Sequence, residues 1–184
     1  IHAHPGIFPE RYSRHADGAM YDVGLPESAR QFLRDREAYF HPTPDATEIA
    51  PGVWVTGFVP RETPFEDTGG NFWLDRECTR PDPIEDDMAL WVQRPEGLWI
   101  FLGCAHAGTI NTVQHIQAVS GRDDVYAVIG GTHLRSASEE RLKKTARFLA
   151  DLAPTIMLPC HCSGGRIHAV LADSGIDSSG GGTP

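Results

Sequence analysis

Lysine is almost absent from this chain. Only Lys143 and Lys144 occur in 184 residues, so arginine supplies nearly all of the 16 positive charges. Arginine pairs bidentately with carboxylates and phosphates, although an arginine bias also follows from genome base composition. Positive charge is scarce altogether. Against 25 acidic residues the net charge is −9 and the pI is near 5.4. That balance lacks the basic face a nucleic-acid partner requires. Long apolar runs are missing too: none approaches the roughly 20 residues that span a bilayer. No signal-peptide pattern is visible at the N-terminus. The expectation is therefore no nucleic acid and no membrane. Cysteine is limited to Cys78, Cys104, Cys160 and Cys162. Three of the four adjoin histidines, which suits a reduced, cytoplasmic setting better than a disulfide framework.

What the chain does have is punctuation. It holds 19 glycines and 14 prolines against a hydrophobic fraction of 40%, so loops take a large share. The length fits one domain. Residues 1–52 read as irregular and Pro-rich with two short helical stretches, one of them Pro26 to Leu33 with proline at its first position. Val53 to Gly57 reads as a strand entering a turn. Arg61 through Asp86 read as a long polar loop, functional or disordered. From Met88 the pattern is regular. Met88–Gln93 and Leu98–Leu102, separated by Arg94-Pro-Glu-Gly97, predict a hairpin. Ile110, Val113, Ile116 and Val119 predict a helix closed by Gly121. Val125–Ile129 predicts a buried strand. Ser136-Ala-Ser-Glu139 predicts a capping box before a helix with Leu142, Ala146 and Leu149 on one face. Thr155–Leu158 predicts a strand, and Gly165–Ala172 a last helix. The fold class is α/β: a mixed sheet with a β-hairpin, then αβαβα, over residues 88–173, and a flexible tail over 174–184. The chain opens on a strand-like Ile1-His-Ala-His-Pro5 and ends on a run without core residues, so it is expected to be a fragment or a processed piece.

Three histidines stand just past predicted strands at nearly equal intervals: His106, His133 and His161, 27 and 28 residues apart. That gap is one strand–helix–strand unit, which brings all three to the C-terminal edge of a parallel sheet, where ligands bind. Imidazole suits a metal or proton transfer there. Around His106, Gly103, Ala105, Ala107 and Gly108 let backbone approach a ligand, and the helix start at Thr109 offers N–H groups to an anion. His133, after Gly130-Gly-Thr132, is read as either a substrate contact or a metal ligand. In Pro159-Cys-His161-Cys162 the two cysteines could be zinc thiolates, although structural zinc sites usually use Cys-x2–4-Cys. An extended segment would put both sulfurs on one face and the imidazole on the other, so the site gets either the imidazole or the thiols. That favours His161 as ligand with the cysteines as small apolar fillers. Cys104 is a rival nucleophile with His106 as base, since two residues apart in an extended segment share a face. Asp82, Asp86 and Asp87 read as a solvated turn. Arg61 could meet an anionic substrate. His2 and His4 form a pair without the further ligands a metal motif needs.

Gly103-Cys-Ala-His-Ala-Gly-Thr-Ile-Asn111, Ile129-Gly-Gly-Thr-His-Leu134 and Pro159-Cys-His-Cys-Ser-Gly164 together resemble the metallo-β-lactamase superfamily. The closest branch is the 7,8-dihydropterin-6-methyl-4-(β-D-ribofuranosyl)aminobenzene 5′-phosphate synthase-like one. Thr56-Gly57, Pro60-Arg61, Phe65-Glu66 and Pro81-Asp82 with Asp86-Asp87 also look like that branch. The resemblance implies part of an αββα sandwich and zinc or another divalent metal, with His106 and His161 as metal ligands. It further implies a catalytic or substrate role for His133 and substrate contacts from Arg61, Asn111 and Thr132. The expected substrate is a small anionic molecule, phosphorylated or pterin-like; no oligomeric state follows. The superfamily's His-x-His-x-Asp-His is absent, so the chain resembles the C-terminal portion. Its metal site is then expected to be incomplete and its own activity weak or nil. The alternatives are a metal-free thiol enzyme using Cys104 and a non-catalytic binding remnant.

Overall fold

The computed structural model describes residues 1–178. The strands in chain order are β1 (His2–Ala3), β2 (Tyr12–Arg14), β3 (Met20–Asp22), β4 (His41–Pro42), β5 (Thr47–Ala50), β6 (Val53–Val55), β7 (Phe72–Trp73), β8 (Ala89–Arg94), β9 (Gly97–Leu102), β10 (Val125–Gly130) and β11 (Ile156–Pro159). The helices are α1 (Glu27–Asp35), α2 (Thr109–Ser120), α3 (Glu139–Leu152) and α4 (Arg166–Asp173). One mixed sheet of six strands, ordered β11-β10-β9-β8-β6-β5, carries the structure. The tight turn at Arg94–Gly97 makes β8 and β9 an antiparallel hairpin. Crossovers through α2 and α3 then add β10 and β11 parallel to β9.

Strand alternation gives the sheet two unlike faces. Trp91, Ile100, Val128 and Met157 lie side by side across β8 to β11 and are fully or almost fully buried. They pack under Val113 and Ile116 of α2, Leu142, Ala146 and Leu149 of α3, and Ile167 and Leu171 of α4. Each such side chain contributes about 1.5–3 kcal/mol on burial. The opposite row, Leu90, Phe101, Ile129 and Leu158, is also in register but only half-buried. Short strands of the first half form two further sheets, β3-β2-β7 and β1-β4.

Several local expectations are corrected. The first 52 residues contain five short strands besides α1 and two 3₁₀ turns, because two- and three-residue pairings leave no hydrophobic period. Pro26 caps α1 from outside its first turn. Val119 is exposed, since nine residues carry it half a turn round the helix from Ile110. The cap of α3 is Ser138, whose hydroxyl accepts from the Arg141 amide at 3.2 Å, not Ser136. Of the expected flexible tail, Ile176 packs on the core and Ser178 is buried 2.8 Å from His168 Nδ1; residues 179–184 lie outside the described residues. No helix among the described residues is long and apolar enough to cross a membrane.

Candidate metal centre

The C-terminal ends of β9, β10 and β11 lie side by side, so the loops that follow them meet. Each loop turns on a residue with left-handed backbone: Ala105 (φ 52°), His133 (φ 49°) and His161 (φ 52°). A non-glycine residue there is uncommon and strained, and such residues gather at functional sites. The close approach has a second cause in Gly131. A Cβ on it would lie 2.4 Å from the Gly103 carbonyl oxygen and 2.7 Å from Cys162 Sγ, so only glycine lets the third loop close over the first.

His106 and His133 face one another with ring centroids 4.3 Å apart, and the edge of Phe72 abuts both, at 5.2 and 6.4 Å. His106 Nδ1 lies 2.7 Å from the Thr68 carbonyl. A carbonyl only accepts, so Nδ1 donates, and the contact fixes the ring's orientation. Burial, with help from the nearby His106 and Arg141, pushes His133 down to about 4, so near neutral pH its imidazole is uncharged. On the other side of the same edge, Cys104 Sγ, Cys162 Sγ and a ring nitrogen of His161 all lie within 4.8 Å of one another.

This arrangement overturns the reading of 160–162 as an extended segment. β11 stops at Pro159 and His161–Ser163 form a 3₁₀ turn, which breaks the alternation. The imidazole of His161 and the sulfur of Cys162 therefore converge, and Cys160 is left out of the group. It also sets Cys104 beside Cys162. Its thiol shares a hydrogen bond with Cys162 and is half-buried, which pushes it well above the ordinary thiol range. Cys162 is instead drawn down to about 6, because as a thiolate it accepts from the Cys104 thiol and the His133 amide near His161 and His106. In its neutral form Cys162 reaches the Cys104 carbonyl at 3.7 Å. The sulfur of Cys104 has Cys162 as its neighbour, while the His106 ring is turned to Thr68 and His133.

The first half of the chain closes the site from outside. The amide groups at the start of α2 do hold an anion, but it belongs to the protein: Glu66 accepts from the Ile110 and Asn111 amides at 3.0 and 2.9 Å. Gly108 is the residue this requires, since a Cβ there would fall 2.1 Å from the Glu66 carboxylate. Arg61 donates to the carbonyls of His106 (2.6 Å) and Pro83 (2.5 Å). Asn111 is buried, accepting from the Glu62 and Thr63 amides and donating to Ala107. Thr132 is fully buried, its amide donating to Ser163 Oγ. The polar atoms of Arg61 and Asn111 expected to meet substrate are thus engaged with the protein, and Thr132 has no exposed surface to offer. The acidic segment is not a solvated turn. Asp82 and Asp86 pair with Arg11 at 2.7 and 2.5 Å, and Asp87 accepts from the Ala107 amide at 2.9 Å, its carboxyl raised above the ordinary range by burial. His4 caps its own turn by accepting from Gly6, and His2 stacks on His41.

A cavity of about 620 Å³ runs from Cys104, His106 and Asp87 along the half-buried sheet face at Leu90 and Phe101 to His2 and His4. Sequence reasoning missed Thr68, Phe72 and Arg11 as site-building residues, and set Cys162 aside as a packed filler after weighing it with Cys160 as a zinc thiolate. The only signal available was the position of Thr68 and Phe72 in a loop too long to be idle.

The donor set suits a divalent ion. Zinc–thiolate bonds near 2.3 Å in a tetrahedral site place two sulfurs about 3.8 Å apart, within the span these three ligand atoms occupy.

No family model matches the chain. It is 28% identical over 168 residues to the 7,8-dihydropterin-6-methyl-4-(beta-D-ribofuranosyl)-aminobenzene-5′-phosphate synthase of Methanocaldococcus jannaschii, covering 89% of this chain and 57% of that protein. It is 29% identical over 162 residues to an uncharacterized protein of the same organism, covering 88% of this chain and 57% of that one. The chain thus spans little more than half the length of these curated relatives. The crystal structure of Tm1679, a metal-dependent hydrolase of the β-lactamase superfamily, superposes with a TM-score of 0.75 at 21% identity, covering all of this chain and 66% of that one. The fold is that of the metallo-β-lactamase superfamily, and the resemblance read from the strand-end motifs stands.

Proposed function

We propose that this chain carries part of a divalent-metal centre for hydrolase-like chemistry on a small anionic molecule. The observation that carries the reading is the convergence of His106, His133 and His161 at the adjacent ends of β9, β10 and β11. Zinc or another divalent ion would be held there by His161, with His106 next to it. Such an ion supplies Lewis acidity toward water and a phosphoryl or carbonyl oxygen. The chain's own groups do the positioning. Thr68 fixes the His106 ring, Arg61 ties the loop backbone at His106 to Pro83, and the uncharged imidazole of His133 presents a proton acceptor to the same space. The curated relative is named as a synthase of a ribofuranosylaminobenzene phosphate, which supports a phosphorylated or pterin-like substrate. Four free cysteines, three beside the site, favour a reducing, cytoplasmic setting.

Two measurements test this. Zinc or cobalt should raise the melting temperature of the chain, with reversal by chelator. Any hydrolysis of bis(p-nitrophenyl) phosphate should require the metal and fall on His106→Ala. A melting temperature indifferent to metal, or hydrolysis that survives chelation, overturns the reading.

A further inference from the structure

We propose that the metal at this edge is held by sulfur: Cys104 and Cys162 act as ligands together with His161. The proposal rests on the metal reading above and names its donor set.

Three observations carry it. The two cysteines come from loops 58 residues apart, yet their sulfurs converge with a His161 ring nitrogen within 4.8 Å. The convergence is built: Ala105 and His161 hold left-handed backbone on either side of it, and Gly131 vacates the space that Cys162 Sγ borders. It is also selective, because Cys160, adjacent in sequence to His161, stays outside the group. His106 stays outside as well, its ring held toward Thr68 and His133. It is left free to work beside the ion.

Two sulfurs and one imidazole form a soft set. It selects zinc, cobalt or cadmium over magnesium, manganese or calcium. Three protein ligands leave a fourth tetrahedral position for water or substrate, as in catalytic zinc sites. His161 is exposed, so that position opens to solvent.

Cobalt(II) titration of the reduced 184-residue chain tests the donor set directly. The expected result is one ion per chain with a near-ultraviolet thiolate-to-cobalt charge-transfer band, displaced by zinc and unaffected by millimolar magnesium. Cys104→Ser and Cys162→Ser should each weaken the band and the binding by at least about tenfold, the loss that even an outer-shell change causes. Cys160→Ser and His106→Ala should keep the band. Should the serine variants fold poorly, the unaltered protein suffices: zinc should protect Cys104 and Cys162 from iodoacetamide, read by mass spectrometry, while Cys78 and Cys160 label at their metal-free rates. Cobalt bound without the charge-transfer band, or zinc without protection of the two cysteines, overturns the sulfur site and leaves the metal reading standing. No cobalt uptake overturns both. A sulfur-bound ion combined with hydrolysis that ignores chelation overturns the hydrolytic reading alone.

Discussion

Residues 88–173 and residues 1–87 build one site by different means. The later segment sets positions through repeated backbone. β9, β10 and β11 are in parallel register, and three helices bury one face of the sheet, so the residue after each strand arrives at the same edge. The earlier segment sets orientations through single polar contacts. The Thr68 carbonyl turns the His106 ring, Glu66 fills the start of α2, and Arg61 and Asp87 tie down the backbone at His106 and Ala107. Periodic packing thus decides where the site is, and aperiodic polar contacts decide how its side chains face. The first is paid in apolar area and the second in desolvated hydrogen bonds, so the two should fail differently under mutation.

The largest expected effect lies in the packed half. Ile100→Ala should cost about 2–5 kcal/mol in urea unfolding, because Ile100 is fully buried under the helices. Leu90→Ala, on the half-buried face of the adjacent strand, should cost roughly half as much or less. Equal losses would erase the distinction between the two sheet faces. Next comes Glu66→Ala, which strips the start of α2 of its acceptor and should cost about 1–2 kcal/mol by the same measurement.

Glu66 also gives a pH test that packing cannot mimic. Burial holds its carboxyl above the ordinary value of 4.5, outweighing the α2 amides that pull it down. The folded state therefore binds this proton more tightly than the unfolded chain does. That contribution is complete below about pH 4.5 and is lost as pH rises through the folded pKa. The unaltered chain should lose stability relative to Glu66→Gln as pH rises above about 4.5; a constant gap would mean that the carboxyl is not desolvated. The smallest effect is expected at exposed Val119, where Val119→Ser should stay within about 0.5 kcal/mol.

The same division explains what could be read from the sequence. The hairpin around Arg94–Gly97, the helix stop at Gly121 and the strand at Val125 were legible because each imposes a period or a backbone demand within a few residues. The equal spacing of His106, His133 and His161 was legible because it repeats a strand–helix unit. The partners of those histidines were not. Thr68, Glu66 and Asp87 reach the site across 20 to 45 residues through polar atoms, which leave no pattern in composition. The grouping of His161 with Cys162 was misread for a different reason: alternation was carried one step beyond the end of β11, into a turn where it no longer applies.

The left-handed residues at the three loop tips bear on how the site should be dissected. At His133 and His161 an alanine replacement removes the imidazole but keeps the unfavourable torsion, so lost chemistry and persisting strain arrive together. Glycine removes the ring and relaxes the chain at once, and asparagine tolerates that conformation while still offering a polar head. A glycine variant more stable than its alanine counterpart would put a number on the strain this edge holds in its resting state.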